Sequence, residues 1–339
     1  MANVVITGGA GFLGARLARQ LLATGSLAVA GSGARPLRGL TLIDRVPVPP
    51  DLAADERVTA IRGDLGDLLG PAPGGPDAAA GPDAITRAEV IFHLAAAVSA
   101  ECEADFDLGI RANLRATEAL LAACRAAGTS PVVVFSSSIA VFGASAEHPL
   151  PAVVDDHTAP NPQTSYGAQK VIGEQLLADY ARKGFLRGRA VRLMTVSVRP
   201  GRPNRAATGF LSGIIREPLA GQRAICPVGP QTEVALVSPA RAIAGLLCAA
   251  TSPDEAWGGR TAVNLPALTV TVADMVAALE QAAGPGASAL IDWIPDPPIA
   301  EMVRTWPARF RSARAAGLGL TPDPDFGSVI SMHIAETRR

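Results

Sequence analysis

The chain has 339 residues, of which 48% are hydrophobic, and this suits one large α/β domain with or without a smaller lobe built on it. The formal net charge of −1 at pH 7 gives no electrostatic basis for binding nucleic acid or an anionic membrane. The sequence has no uninterrupted run of about 18 apolar residues, so we expect no membrane-spanning helix. The four cysteines form no C-x-x-C pair, which favours reduced thiols in the cytoplasm.

Short apolar runs alternate with helix-length segments along the first part of the chain. Most runs are apolar throughout, as in strands buried on both faces of a parallel sheet. The alternation predicts a doubly wound, Rossmann-type α/β sheet with right-handed crossovers. The predicted strands are residues 4–6, 40–43, 58–61, 90–94, 132–135 and 190–194. The predicted helices are residues 12–23, 110–127 and 166–182.

Two stretches interrupt the alternation and predict surface insertions. Residues 31–39 delay the second strand, and residues 70–82, rich in Pro, Gly and Ala, predict a loose loop. Beyond about residue 195 the alternation weakens and five prolines punctuate residues 200–230. The later chain therefore predicts a smaller C-terminal lobe over the carboxyl ends of the strands.

The C-terminal part still holds clear local signals. Residues 261–265 predict a strand, and residues 272–283 predict a helix with Thr271 as N-cap and Asp274 three residues later, as in a capping box. The predicted division assigns residues 1–194 and 231–265 to the Rossmann domain, and residues 195–230 and 266–339 to the substrate-binding lobe.

The first predicted strand runs directly into the segment Thr7-Gly8-Gly9-Ala10-Gly11-Phe12-Leu13-Gly14. A glycine-rich turn between a strand and a helix is the context required of a dinucleotide-binding loop. Glycines let a pyrophosphate approach the backbone, and the helix N-terminus offers unpaired N–H groups. The alternative is an ordinary glycine-rich turn. The residues predicted to bind the cofactor here are Gly8, Gly11, Phe12, Leu13 and Gly14.

Two carboxylates close the second and third strands. Asp44 can accept hydrogen bonds from the adenosine ribose and would repel a 2′-phosphate, so the predicted cofactor is NAD, although Arg45 follows directly. Asp64, followed by Leu65, fits an adenine contact or equally a helix N-cap. His93 is interpreted as a core histidine. The residues after it, predicted to let the cofactor lie against the strand end, are Leu94, Ala95 and Ala96.

Tyr166 and Lys170 are four residues apart on a predicted helix, so both project from one face. A cationic Lys beside a phenol favours the phenolate and is expected to lower the pKa of Tyr166 toward the working pH. The phenolate could take a proton from a substrate hydroxyl while hydride leaves the same carbon for the nicotinamide, and Lys170 could hold the nicotinamide ribose. With only two tyrosines in the chain, an accidental surface pair is the weaker interpretation.

Ser138 follows the fifth predicted strand. Ligands of open α/β sheets bind outside the carboxyl ends of the strands, which is where this hydroxyl would lie. Ser138 could hydrogen-bond to the reacting oxygen. Its alternative role is that of a cap or turn serine.

Together these segments resemble the extended short-chain dehydrogenases/reductases, the group that contains nucleotide-sugar epimerases and dehydratases. The similar segments are residues 7–14, 93–97, 135–143, 166–170 and 192–201. The resemblance implies that Ser138, Tyr166 and Lys170 form a catalytic triad, and that Asn113 helps to order it through its backbone. It also implies a homodimer joined by helices 110–127 and 166–182. The apolar residues expected beyond the core-facing stripes are Leu114, Leu120, Leu121, Val171, Ile172, Leu176 and Leu177.

The chain departs from the sugar-nucleotide enzymes where they hold a nucleotide diphosphate. The segment Arg192-Leu193-Met194-Thr195 lacks the Asn that they carry after Arg-x-x. Thr232-Glu233 and Val237-Ser238-Pro239 replace their usual Arg-Asp and Asp-Asp. These changes argue against a UDP- or GDP-sugar substrate.

The middle of the chain is more similar to a narrower family, the D-erythronate dehydrogenases, which oxidise C2 of a four-carbon sugar acid with NAD. The similar segments are residues 135–143, 163–167 and 195–205. An acid substrate needs a cation, and the last segment carries Arg199, Arg202 and Arg205, each of which could instead be a solvated loop residue. Ser99 and Thr195 are predicted near the remaining hydroxyls.

The sequence therefore predicts an NAD-dependent dehydrogenase of a small 2-hydroxy sugar acid, working as a cytoplasmic homodimer without a metal ion. Two other hypotheses stay open. One is a nucleotide-sugar 4-epimerase or dehydratase with an atypical phosphate site. The other is a non-catalytic dinucleotide-sensing regulator, against which the intact Tyr166 and Lys170 pair argues.

Overall fold

The computed structural model describes residues 1–70, 79–201 and 208–337 and has fifteen strands in that part of the chain. They are β1 (Ala2–Thr7), β2 (Ser26–Leu27), β3 (Arg35–Asp44), β4 (Val58–Arg62), β5 (Val90–His93), β6 (Val132–Ser138), β7 (Val154–Asp155), β8 (Arg187–Leu193), β9 (Thr195–Val196), β10 (Ala224–Cys226), β11 (Glu233–Val237), β12 (Val263–Asn264), β13 (Leu268–Thr271), β14 (Ile291–Trp293) and β15 (Phe310–Arg311).

The helices between the strands are mostly α-helices, with a π-helical turn at Ile110–Arg115 and a 3₁₀ turn at Ile139–Val141. They are α1 (Phe12–Thr24), α2 (Pro50–Ala53), α3 (Leu65–Leu69), α4 (Ala80–Arg87), α5 (Ser99–Ala104), α6 (Phe106–Gly109), α7 (Ala116–Ala127), α8 (Ser165–Arg182), α9 (Phe210–Leu219), α10 (Pro239–Thr251), α11 (Asp254–Trp257), α12 (Val272–Ala283), α13 (Pro285–Ser288), α14 (Pro297–Thr305), α15 (Ala313–Gly317) and α16 (Phe326–Thr337).

Eight strands form the main sheet, in the order β12–β8–β6–β5–β1–β3, with β4 and the short β2 also paired to β3. Only β2 is antiparallel to its neighbour in this sheet; the other pairs are parallel. Starting at β4, the parallel strands follow the doubly wound order 3-2-1-4-5-6, extended by β12. The predicted Rossmann-type fold is confirmed.

Two apolar layers cover the faces of this sheet. Val4 and Ile6 of β1 belong to one layer and Val5 to the other, because successive strand residues point to opposite faces. The first layer packs with α1 and α10, and the second with α3, α7 and α8. Strands buried on both sides explain why their sequences are apolar throughout.

A third core lies in the C-terminal lobe, between the small sheet β9–β11–β13 and helices α9, α12 and α16. Strand β11 contributes to two cores. Val234 and Leu236 pack in the lobe, whereas Ala235 and Val237 pack in the first layer of the main domain. The smaller lobe is therefore present, while its division from the main domain at residues 231 and 265 stays a prediction.

The local signal for α12 is confirmed in full. Thr271 Oγ1 accepts a hydrogen bond from Asp274 N at 3.1 Å, and Asp274 Oδ2 accepts one from Thr271 N at 2.9 Å. This reciprocal box satisfies two backbone donors that the first turn of a helix leaves unpaired. The helix then runs over Val272–Ala283, as predicted.

Four predicted segments differ from the structure by more than a few residues or in kind. Strand β3 already begins at Arg35, where β2 pairs with it, so the insertion at 31–39 is shorter than predicted. Of the predicted loop 70–82, residues 71–78 lie outside the described residues, and its end belongs to α4, which buries Ile85 completely. The helix predicted at 110–127 starts with the π turn. The strand predicted at 261–265 is only two residues long.

All four cysteines are free thiols in the structure, and three of them are buried. Within the described part of the chain, no helix combines the length and the apolar character needed to cross a membrane.

Candidate active site

Two adjoining clefts lie at the carboxyl ends of β1, β5 and β6. The larger, of about 270 Å³, contains Ser138, Tyr166 and Lys170 in its wall. The smaller, of about 250 Å³, contains Asp44 and Asp64. The order of the sheet reverses between β1 and β5, which is where open α/β sheets bind ligands. The residues that line both clefts, and so join them into one groove, are Gly8, Gly11, Leu94 and Ala96.

The glycine loop needs glycine because the backbone around it is crowded. Gly8 has a φ of +72°, and a Cβ there would lie 2.8 Å from Ala95 N. A Cβ at Gly14 would lie 2.1 Å from Gly8 O. Helix α1 follows Gly11 with no side chain capping it. Its first N–H groups are therefore placed to receive an anionic group in the groove.

Asp44 and Asp64 both line the smaller cleft, beside Leu65. Asp44 Oδ2 accepts a hydrogen bond from Ala10 N at 3.0 Å, so the carboxylate also holds the glycine loop. Asp64 Oδ1 accepts one from Gly66 N at 2.9 Å and caps α3. The N-cap interpretation of Asp64 is confirmed, and its adenine contact stays a prediction.

The end of β5 is fixed by buried polar contacts. His93 is a core residue, as predicted: its Nδ1 lies 2.7 Å from Thr7 Oγ1, and burial lowers its pKa to about 3. The buried Asn113 lines neither cleft. Its side chain makes two links: Oδ1 accepts from Ala97 N at 2.8 Å, and Nδ2 donates to Gln169 Oε1 at 2.7 Å. It thus joins the strand end to α8. The role expected of its backbone stays a prediction.

Helix α8 presents both Tyr166 and Lys170 to the larger cleft, as their four-residue spacing predicts. Lys170 Nζ lies 5.5 Å from the centroid of the Tyr166 ring and donates a hydrogen bond to Ser136 O at 2.9 Å. The Ser138 side chain lies beside the Tyr166 hydroxyl and lowers the pKa of this phenol against the effect of burial. The structure therefore brings the three predicted catalytic residues together.

The ionisation of this group differs from the prediction. Burial raises the pKa of Tyr166 to about 12, against the opposing effects of the Ser138 hydrogen bond and the Arg199 charge. Burial also lowers the pKa of Lys170 to about 8. The expectation that Lys170 lowers the pKa of Tyr166 is therefore wrong for the protein alone, because desolvation dominates and the cation acting on the phenol is Arg199.

Three of the predicted substrate residues, Ser99, Thr195 and Arg199, line the larger cleft. Arg199 Nε donates to Val196 O at 2.9 Å, which holds the side chain in place. Burial lowers the pKa of Arg199, and the charge that opposes this shift is that of Tyr166, with no carboxylate of the described residues acting on it. Arg202 and Arg205 lie outside the described residues.

Thr208 and Trp306 are among the residues of this cleft that sequence reasoning missed. Thr208 lies just before α9, where its Oγ1 accepts from Arg199 Nη2 at 3.4 Å. Trp306 follows α14 in the lobe. Neither belongs to a motif, and no local signal marks either one, since only the folding of the lobe over the sheet brings them to the cleft.

A family comparison agrees with this groove. The sequence model of the NAD dependent epimerase/dehydratase family matches residues 4–255. The chain belongs to this family. Its cofactor is NAD. The groove fits that cofactor, because the uncapped start of α1 lies between the carboxylate of Asp44 at one end and Tyr166 with Lys170 at the other.

Within the family, the chain is similar to two curated proteins over nearly its whole length. It is 47% identical over 334 residues to D-erythronate dehydrogenase from Cupriavidus necator, covering 98% of each chain. It is 40% identical over 334 residues to D-erythronate dehydrogenase from Haemophilus influenzae, again covering 98% of each. Among solved structures, the nucleoside-diphosphate-sugar epimerase from Agrobacterium tumefaciens superposes with a TM-score of 0.87 at 41% identity, covering 98% of this chain and 93% of that one.

Proposed function

We propose that the protein oxidises the C2 hydroxyl of D-erythronate to 2-dehydro-D-erythronate, with NAD accepting the hydride and one proton released. One observation carries the choice of an acid substrate: the Arg199 guanidinium shares a cleft with Tyr166, and no carboxylate of the described residues acts on it. A guanidinium in such a setting suits a substrate carboxylate. The two full-length relatives named D-erythronate dehydrogenase support this proposal.

The chemistry divides between the cofactor and the chain. Bound NAD supplies the hydride acceptor. Tyr166 acts in its phenolate form, which the Arg199 charge favours against the effect of burial. The phenolate takes the proton of the substrate hydroxyl, and Ser138 hydrogen-bonds to the same oxygen. Arg199 binds the carboxylate. Because C2 is bonded directly to the carboxylate carbon, a cation close to the phenol places the C2 hydroxyl, rather than a more distant one, at Tyr166.

The direct test is NADH formation from NAD with a panel of C3–C6 sugar acids, each compared with its neutral polyol. D-erythronate should give the highest kcat/KM, and erythritol should be a poor substrate. Equal turnover of the acid and the polyol would contradict the role given to the carboxylate.

A second candidate is a nucleotide-sugar 4-epimerase or dehydratase. The solved structure of the nucleoside-diphosphate-sugar epimerase, which is 41% identical to this chain, favours it. The replacements at Thr195, Glu233 and Ser238 oppose it, since the sugar-nucleotide enzymes hold their diphosphate there. Tightly retained NAD, no net NADH and conversion of UDP-glucose would support this candidate over the dehydrogenase.

We also propose that the protein is a cytoplasmic homodimer. The free thiols suit a reducing compartment. Of the apolar residues expected at the interface, Leu120, Leu121 and Leu177 are instead buried in the core. The proposal then rests on Ile172 of α8 and Phe106 of α6, which are 41% and 60% exposed and would suit an isologous contact. A monomer by light scattering at micromolar concentration would refute it.

A further inference from the structure

A buried ion pair lies one helical turn beyond Lys170 on α8. The side chains of Glu174 and Arg192 are 3% and 7% exposed. Arg192 Nε donates to Glu174 Oε1 at 2.9 Å, and Arg192 Nη2 donates to Oε2 at 2.7 Å. Ser137 Oγ donates to Oε1 as well. One carboxylate on the helix is therefore held by donors from two neighbouring strands, β6 and β8.

Helix α8 contacts the end of β6 at three points. Three consecutive strand residues meet three helix residues spaced four apart, which lie on one helix face. Glu174 is therefore the third residue of the helix row that begins with the acid–base residue. The pairs are Ser138 with Tyr166, the Ser136 carbonyl with Lys170, and Ser137 with Glu174.

Stability alone does not account for this ion pair. A buried pair of charges costs desolvation, and well-packed apolar residues in its place are often as stable. Ser137 also points to the face of β6 opposite to that of its two neighbours, because strand side chains alternate. A hydrogen-bond partner on the face of β6 that α8 covers can therefore hold the strand end against the helix. Glu174 is that partner.

We propose that Glu174, held by Arg192 and Ser137, is a positioning residue for the reaction. It keeps the end of β6 against α8, so that Ser138 and the Ser136 carbonyl stay aligned with Tyr166 and Lys170. Glu174 lines neither cleft and acts through these residues. The proposal rests on the proposed dehydrogenase function, since it concerns the same site.

The charge of Glu174 gives this role a measurable signature. Burial lowers the pKa of Lys170 to about 8, and the charge of Glu174 opposes that shift. Loss of the carboxylate charge should move the ionisation of Lys170 to still lower pH. The other titratable groups near Lys170 are His93 of β5 and Tyr166. In the protein without cofactor and substrate, their pKa values of about 3 and about 12 keep both neutral in this range. Burial raises the pKa of Cys102 of α5, so this thiol also stays neutral there.

The test compares Glu174→Gln, Ser137→Ala and the double variant Glu174→Gln/Arg192→Met with the wild type. The matched control is Asp179→Asn, which removes a carboxylate from the exposed face of the same helix. The readouts are kcat and KM for D-erythronate across pH, and NADH affinity across pH by fluorescence. NADH affinity needs no substrate, and Lys170 is predicted to hold the nicotinamide ribose.

Glu174→Gln should lower kcat on the order of 10- to 100-fold with little change in KM, as expected when reacting groups are misplaced. As the pH rises, this variant should begin to lose activity and NADH affinity at a lower pH than the wild type does. Ser137→Ala should lower kcat without the pH shift, because the carboxylate stays. The double variant should recover stability but not kcat, and Asp179→Asn should match the wild type.

The proposal would be overturned if the double variant, or a folded Glu174→Gln variant, had the same kcat and pH profile as the wild type. The ion pair would then have a structural role only. If Glu174→Gln does not fold, Ser137→Ala and the double variant still test the proposal, because neither variant leaves a buried charge without its partner. If the wild type does not oxidise D-erythronate, the proposed function fails, whereas the pH dependence of NADH affinity still tests Glu174.

Discussion

An Arg199→Gln variant removes the guanidinium that we propose binds the substrate carboxylate. Contacts to Val196 O at 2.9 Å and Thr208 Oγ1 at 3.4 Å hold this side chain, so its remaining N–H groups can donate to a ligand in the cleft. Arg216 Nη1 donates to Arg199 O at 2.7 Å, and this backbone anchor does not depend on the Arg199 side chain. The substitution should therefore act on the site rather than on the fold.

The magnitude follows from the kind of contact that is lost. Hydrogen bonds to charged groups contribute about 1.5–3 kcal/mol, and burial of Arg199 places this contact toward the upper end because water competes less there. A loss of about 2–3 kcal/mol corresponds to about a 30- to 150-fold fall in kcat/KM for D-erythronate. The Arg199 charge also favours the Tyr166 phenolate, so every substrate should lose some activity.

The ratio of kcat/KM for D-erythronate to that for erythritol separates the two effects, because only the acid loses a charge-assisted contact. The ratio should fall strongly in Arg199→Gln and less in Arg199→Lys, which keeps the charge but not the planar fork. Arg182→Gln, on the exposed face of α8, is the control. An equal fall for acid and polyol would refute the carboxylate contact.

Three further predictions test other parts of the site. Tyr166→Phe should keep NAD binding but lower kcat by a factor on the order of 10² to 10⁴, and substantial turnover would contradict its role as the base. Asp44→Ala should narrow the preference for NAD over NADP, measured as the ratio of kcat/KM values; a wild-type preference for NADP would contradict the role of Asp44. Folding lowers the pKa of Lys170 from 10.5 to about 8. Between these two pH values the unfolded chain binds more protons than the folded protein, so the stability of the wild type should rise with pH there. At pH 7 Lys170→Met should therefore be more stable to urea by up to about 3 kcal/mol, less the lost bond to Ser136 O, and a stability difference that does not change with pH would count against this.

The features that sequence reasoning predicted correctly depend on short spacings. Tyr166 and Lys170 share a helix face because they are four residues apart, and the glycine loop is recognisable because it lies between a strand and a helix. The apolar runs predicted the parallel sheet, since strands covered on both faces must be apolar throughout. The capping box at Thr271 is local in the same sense, because both of its hydrogen bonds close within three residues.

Contacts between distant parts of the chain were beyond this kind of reasoning. Trp306 reaches the cleft from the lobe, and Glu174 meets Arg192 only because α8 packs behind β6 and β8. The pKa of Tyr166 belongs to the same class: the sequence indicated that a lysine was near, but not that burial would dominate. Spacing along one element decides which side chains share a face, whereas desolvation and charge depend on what the rest of the fold places against that face, and only the tertiary structure decides this.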